Sequence, residues 1–145
     1  MATLNRISPG FVWQSPADLS KKEVLRELTS AAISAFLKIK ELWDLRDEQA
    51  RALLGGISNG AFYEMKKKAT AIALDQDRMT RISLMVGIFK TLNILYSKKL
   101  ADRWIQLPND NPLFQGGTPL AYMVRGGLPA MLRVRQLLDS RRGGR

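Results

Sequence analysis

Apolar residues in this chain return at three- and four-residue steps, and strict alternation of apolar and polar positions does not recur, which predicts an all-α fold. Leu25, Leu28, Ala32, Phe36, Ile39 and Trp43 fall on one helical face behind Ser20-Lys21-Lys22-Glu23. That tetrapeptide reads as a capping box, so a first long helix should begin near Ser20 with its stripe in the core. A shorter helical segment, Asp47 to Leu54, leads into Gly55-Gly56-Ile57-Ser58 and a further segment to about Lys68. Gly55 suits the left-handed end of a helix and Ser58 the cap of the next, while Ile57 and Phe62 have the spacing of a hydrophobic staple. Two short helices set at an angle by a glycine turn make a helix-turn-helix candidate. From about Asp75 to Tyr96 apolar residues go almost all the way round: Met79, Ile82, Met85, Val86, Phe89, Leu92, Leu95 and Tyr96, with Leu84, Ile88 and Ile94 on another side. Such a helix is buried on several sides, as the hub of the fold or as part of a dimer interface.

Leu107-Pro108-Asn109-Asp110-Asn111-Pro112 has turn chemistry and marks a boundary. Beyond it, Thr118-Pro119 starts a helix that should stop at Gly126-Gly127, and Pro129 starts the next. Projecting that last helix puts Leu128, Met131, Leu132, Val134, Leu137 and Leu138 on a broad apolar face, with Arg133 and Gln136 outside it and Arg135 within it. An arginine in an apolar stripe needs an acceptor, either Asp139 four residues on or a group of a partner protein. The terminus Arg141-Arg142-Gly143-Gly144-Arg145 is expected not to fold by itself.

The 145 residues, 46% of them apolar, suffice for one domain or two small ones. There is no cysteine, which excludes disulfides and thiolate chemistry and fits a reducing cytosol. The absence of histidine removes the commonest general base and zinc ligand, so neither an enzyme nor a cofactor is expected. MATLNRISPGFVWQSP has no signal-peptide pattern, and Ile82 to Tyr96 is too short and too interrupted to span a bilayer; a cytoplasmic protein without membrane contact is expected. Net charge is +10, and from Thr118 onward six arginines face only Asp139. Polyanionic partners follow, either nucleic acid or an acidic protein surface. Asn59, Gly60 and Tyr63, early in the helix that Ser58 caps, could approach base edges while Lys66, Lys67 and Lys68 hold phosphates. The bland alternative is a helical hairpin with a solvated lysine run.

LFQGGTPLAYMVRGGLPAMLRVRQLLDSRRGG closely resembles the C-terminal toxin-binding domain of antitoxins of the Xre/MbcA/ParS family, whose pattern reads LFGG, S/T-P-L, RGGLPAM and a terminal RGG. LWDLRDEQARALLGGISNGAFYEMKKK is similar to their Xre-type helix-turn-helix, and RMTRISLMVGIFKTLNILY to the helix after it. The likeness covers roughly Leu42 to Arg145. It implies an all-helical antitoxin: an N-terminal arm at 1–19, Xre-like helix-turn-helix and dimerisation helices at 20–109, and a toxin-binding module at 110–145. Such a protein forms a homodimer inside a toxin–antitoxin complex, represses its operon by binding operator DNA, and sterically blocks a RES-domain toxin that consumes NAD. The implied toxin contacts are Phe114, Gly116, Gly117, Leu120, Met123, Arg125, Gly126, Gly127, Met131, Arg133 and Arg135, with Arg141, Arg142, Gly143 and Gly144 at the mouth of the NAD pocket. Arg46 stands where the family has a cap serine, so Asp47 or Asp44 should cap instead. Asn59-Gly60-Ala61 and Met65 replace its Thr-rich, Trp-containing recognition helix. A stand-alone transcriptional regulator or nucleoid-associated DNA-binding protein is the alternative.

Overall fold

The computed structural model describes residues 6–8, 11–12, 18, 20–68 and 74–143. Strands β1 (Arg6–Ser8) and β2 (Phe11–Val12) form a small antiparallel pair within the segment read as an arm. All other regular structure among the described residues is helical. Helix α1 (Lys22–Leu42) buries Ala32, Phe36 and Ile39 of the predicted stripe and half-buries Leu28, Trp43 closes the stripe, and Ile33 and Ala35, outside it, are buried as well. Its start departs from the expected capping box. Lys21 occupies the cap without a side-chain bond, and the Ser20 hydroxyl instead donates to Asp18 Oδ1 at 2.5 Å. The side chains of Glu23 and Leu25 lie outside the described residues.

Past Trp43 the chain reverses through Asp44, whose φ of 54° is left-handed. Its amide donates to Glu41 O at 3.1 Å and that of Leu45 to Lys40 O at 3.0 Å, the paired bonds that close a helix end. Helices α2 (Asp47–Leu53) and α3 (Asn59–Lys67) follow, and then α4 (Gln76–Leu95), capped by the Asp75 carboxylate accepting from the Arg78 amide at 2.9 Å. Met79, Ile82, Met85, Val86, Gly87, Ile88, Thr91 and Leu92 of α4 are all buried. The helix is enclosed by α1, by α5 (Lys98–Arg103) and by α6 (Pro119–Arg142), so it is the hub of the fold.

Between α5 and α6 lie 3-10 turns at Trp104–Gln106 and Pro112–Phe114, at either end of the turn expected at 107–112. Gln106 Nε2 donates to the carbonyls of Trp43 and Asp44 at 3.0 and 3.1 Å, tying this return to the end of α1. Phe114 stands edge-on between Trp104 and Tyr122, with centroids 6.1 and 5.5 Å away. As expected, α6 breaks at the glycine pair. Gly127 has φ 69° and ψ −150°, a conformation essentially limited to glycine. The segment 110–145 nevertheless has no core of its own: Phe114, Leu120, Met123, Met131, Val134 and Leu138 join the cluster that holds Phe36 and Ile82.

One contact decides how α6 meets the hub. A β-carbon added to Gly87 would lie 1.4 Å from Arg135 Nη1 and 2.4 Å from its Cζ. The guanidinium therefore rests on bare α4 backbone, with Nε donating to Asp139 at 3.0 and 3.2 Å. This answers the question of the arginine inside an apolar stripe. Its aliphatic stem is packed, and its charge is met within its own helix. An alanine at 87 would gain about 0.8–1 kcal/mol of helix propensity. It would also force the guanidinium off its seat. Gly87→Ala should therefore gain less in the wild-type background than in Arg135→Ala, with a coupling of about 0.5 kcal/mol or more in a denaturant-unfolding double-mutant cycle. Additive effects would mean that the guanidinium is not seated there.

Candidate functional site

Two surfaces carry the residues singled out from the sequence. The first is α3 and its support. Helix α2 starts with the Arg46 amide donating to Gln49 Oε1 at 2.9 Å. Neither aspartate expected to cap it does so: Asp44 makes the left-handed exit of α1, and the Asp47 carboxylate binds two lysines. Gly55, with φ 84°, ends α2 as predicted, while the Gly56 amide reaches Arg51 O at 2.9 Å. Ser58 Oγ then accepts from the Ala61 amide at 3.1 Å, so the predicted cap is in place. The staple residues Ile57 and Phe62 are both buried, and Phe62 meets Phe36 edge-on at 6.4 Å.

Two arginines that sequence reasoning passed over hold the turn. Arg51 Nε donates to Ile57 O at 2.9 Å, and Arg81, paired with Asp77 at 2.9 Å, extends Nη1 to Leu53 O at 3.4 Å. The Arg81 guanidinium lies 3.2 Å from where a Gly55 β-carbon would stand, so the hub helix directly backs the α2–α3 connection. No local motif marks either arginine, because their acceptors are backbone carbonyls.

Ser58, Asn59, Gly60, Tyr63, Lys66, Lys67 and Lys68 are all exposed, Tyr63 at 58%. The three lysines are not equivalent. Lys66 is held by Asp47 at 2.9 Å and lies over the Phe62 ring at 4.9 Å. Lys67 stands over the exposed Tyr63 ring at 5.4 Å, free of any carboxylate among the described residues. The other Asp47 oxygen pairs with Lys40 at 3.1 Å, so one carboxylate joins the end of α1, the start of α2 and the last turn of α3. Hydrogen bonds from Lys66 and then Lys40 hold its carboxyl below the usual range.

The second surface is α6. Phe114, Leu120, Met123 and Met131, expected at a partner interface, lie in the core with exposures of 3% or less. The motif that carries the resemblance uses these four residues for folding. Leu132, expected on the packed face, is instead 46% exposed, and Val124 is 37% exposed. Arg125, Gly126 and Arg133 are also exposed, while Gly127 and Arg135 are half-buried. Gly116 is exposed, and half-buried Gly117 bridges the preceding loop, its amide donating to Phe114 O at 2.8 Å and its carbonyl accepting from Asn109 at 3.0 Å.

The arginine terminus also differs from expectation. Helix α6 continues through Arg142 to a cap at Gly143, and Arg141 Nη1 donates to the Tyr96 hydroxyl at 3.1 Å. Arg141 is thus engaged with the hub, whereas Arg142 and Gly143 are exposed; Gly144 and Arg145 lie outside the described residues. Among the described residues, acidic side chains do not gather into a set able to hold a metal ion, and no helix is long and apolar enough to cross a membrane.

No protein-family model matches the chain. It is 36% identical over 115 residues to the uncharacterized protein y4oB of Sinorhizobium fredii (strain NBRC 101917 / NGR234), a match covering 79% of this chain and 86% of that protein. The chain belongs to the y4oB family. Because that relative is uncharacterized, membership of the y4oB family brings no activity to this chain, and its chemistry must be argued from the two surfaces above.

The Asp47 cluster yields a pH dependence. A carboxyl whose folded pKa is depressed contributes stability that is fully present above its unfolded pKa and is lost as pH falls through the folded one. Asp47→Asn should therefore be less stable than the parent at neutral pH. The difference should close as pH drops through and below the carboxylate range, as read by urea unfolding at a series of pH values. A gap that persisted at the acid end would assign the effect to packing.

Proposed function

We propose that the chain is the antitoxin of a toxin–antitoxin pair, which docks on a RES-domain toxin through the exposed side of α6 and on operator DNA through the exposed side of α3. The observation that carries this reading is the composition of the α6 surface. Val124 and Leu132, 37% and 46% exposed, stand beside Arg125 and Arg133. Apolar side chains in water next to arginines match the make-up of protein interfaces, where arginine is enriched and lysine depleted. The family resemblance of 113–144 supplies the identity of the partner. The inhibitory tail is then shorter than the sequence suggested. With Arg141 tied to Tyr96, the part left to enter an active site starts at Arg142.

On α3, Ser58 fixes the N-terminal turn, and Asn59 and Gly60 present an uncrowded approach, with nothing within 4 Å of a Gly60 β-carbon. Lys67 and Lys68 supply the phosphate contacts and Tyr63 an aromatic face. Lys66, neutralised by Asp47, contributes less.

Arg125→Glu and Arg133→Glu should each weaken binding of the purified toxin by about tenfold, with helicity and melting unchanged. Deleting 142–145 should release NAD consumption without abolishing the complex. Toxin binding indifferent to both arginines would remove α6 as the docking surface. For DNA, Lys67→Ala and Lys68→Ala should each reduce the slope of log K against log salt by about 0.9, and Lys66→Ala by clearly less. Three equal effects would contradict the role given to Asp47.

A further inference from the structure

A third surface, apart from α3 and the arginines of α6, lies where the chain turns from α5 towards α6. Two open depressions adjoin there. One, about 280 Å³, is lined by Ser97, Lys99, Leu100, Arg103 and Leu107. The other, about 450 Å³, is lined by Trp104, Leu107, Pro108, Asn109, Asp110 and Gly116. Leu107 lines both depressions, which together make up a groove on either side of this leucine. Its lining is apolar at Leu100, Leu107 and Pro108, with Trp104 beneath at 6% exposure. Its ends differ in charge, Lys99 and Arg103 at one and Asp110 at the other.

The charge pattern of α5 offers a seat for an anionic group. Lys98 and Asp102, four residues apart, form an ion pair at 3.0 Å. Lys99 and Arg103 have the same spacing, hence the same face, but like charge. At this spacing such a pair is destabilising by a few tenths of a kcal/mol. Neither is ion-paired among the described residues, and both line the groove. A carboxylate placed between them would turn repulsion into two attractions. The far wall is already ordered. Asn109 donates its amide to Gly117 O at 3.0 Å and accepts from the Asn111 amide at 2.9 Å, and Asn111 in turn accepts from the Leu113 amide at 2.9 Å. A groove whose wall is fixed beforehand loses less entropy when it is filled.

We propose that this groove binds a peptide segment of another protein, its apolar side chains on either side of Leu107 and its acidic end between Lys99 and Arg103. The apolar floor and Asp110 argue against a nucleic-acid strand, whose phosphates would meet a carboxylate at one end. Leu100, which lines the groove, is 39% exposed and supplies apolar surface at its edge. The inference does not rest on the toxin or DNA reading, which shares only Gly116 with it.

The test uses the full chain and a fluorescein-labelled peptide with glutamates at one end followed by leucines at three- and four-residue spacing. Saturable binding is expected by anisotropy, weakened about tenfold by Lys99→Glu, Arg103→Glu or Leu100→Gln and unchanged by Lys67→Ala or Arg125→Glu. All three groove positions are exposed, so the fold should be retained. As a further safeguard, a peptide with lysines in place of the glutamates should bind the Lys99→Glu, Arg103→Glu double variant better than the parent. Absence of saturable binding, or binding that ignores these substitutions, overturns the proposal. So would a labelled single-stranded oligonucleotide bound with the same sensitivity, or a dimer in sedimentation that these substitutions dissolve.

Discussion

The structure depends on the burial of α4 on most of its sides. A twenty-residue helix (Gln76–Leu95) with buried residues round most of its circumference cannot remain in water, and α1, α5 and α6 are held where they are because they cover it. Gly87 shows how tight that cover is. The space a methyl group would fill there is taken by the Arg135 guanidinium. Tyr96, just past the end of the same helix, receives the last described arginine of α6 that has an internal partner. Arginines that looked like equivalent members of a basic terminus thus divide into those that assemble the fold and those that face outward.

The same division runs through the rest of the charge. Lys40, Lys66, Arg81, Arg135 and Arg141 are bound to carboxylates, carbonyls or a hydroxyl of the chain itself. Lys67, Lys68, Lys99, Arg103, Arg125, Arg133 and Arg142 are exposed. A net charge of +10 therefore overstates the cation density available to a partner at any one place and understates its localisation. These seven cations sit on, or at the end of, three separate elements, α3, α5 and α6, each of which also carries an exposed apolar or aromatic residue: Tyr63, Leu100, and Val124 with Leu132.

Features fixed within a few residues of chain were legible beforehand. The Ser58 cap, the Gly55 exit, the break at Gly127 and the unbroken apolarity of α4 each follow from local stereochemistry or periodicity. Features that depend on what lies opposite were not. Projection round an isolated helix placed Leu132 with Met131 and Val134, but the groove against α4 and α2 is narrower than that arc, so Leu132 emerges into solvent. A motif likewise cannot say whether Phe114, Leu120, Met123 and Met131 face a partner or the chain's own centre, since burial looks the same in sequence for both. The capping aspartates failed for a related reason: Asp47 gains more from two lysines, one of them on another helix, than from an amide of its own.

The break at Gly127 also shapes the docking proposed for α6. It divides the outward side of α6 into a half carrying Val124 and Arg125 and a half carrying Leu132 and Arg133, each anchored in the core by its own residues, Leu120 and Met123 for one, Met131, Val134 and Leu138 for the other. In the proposed docking, the two half-surfaces, held at a set angle, would act as a bivalent ligand whose second contact forms at high effective concentration once the first is made. Linkage of that kind separates a partner matching both halves from one matching a single half by about 10²–10⁴ in affinity. Under that proposal, selectivity resides in an angle defined by one glycine rather than in the strength of any single contact.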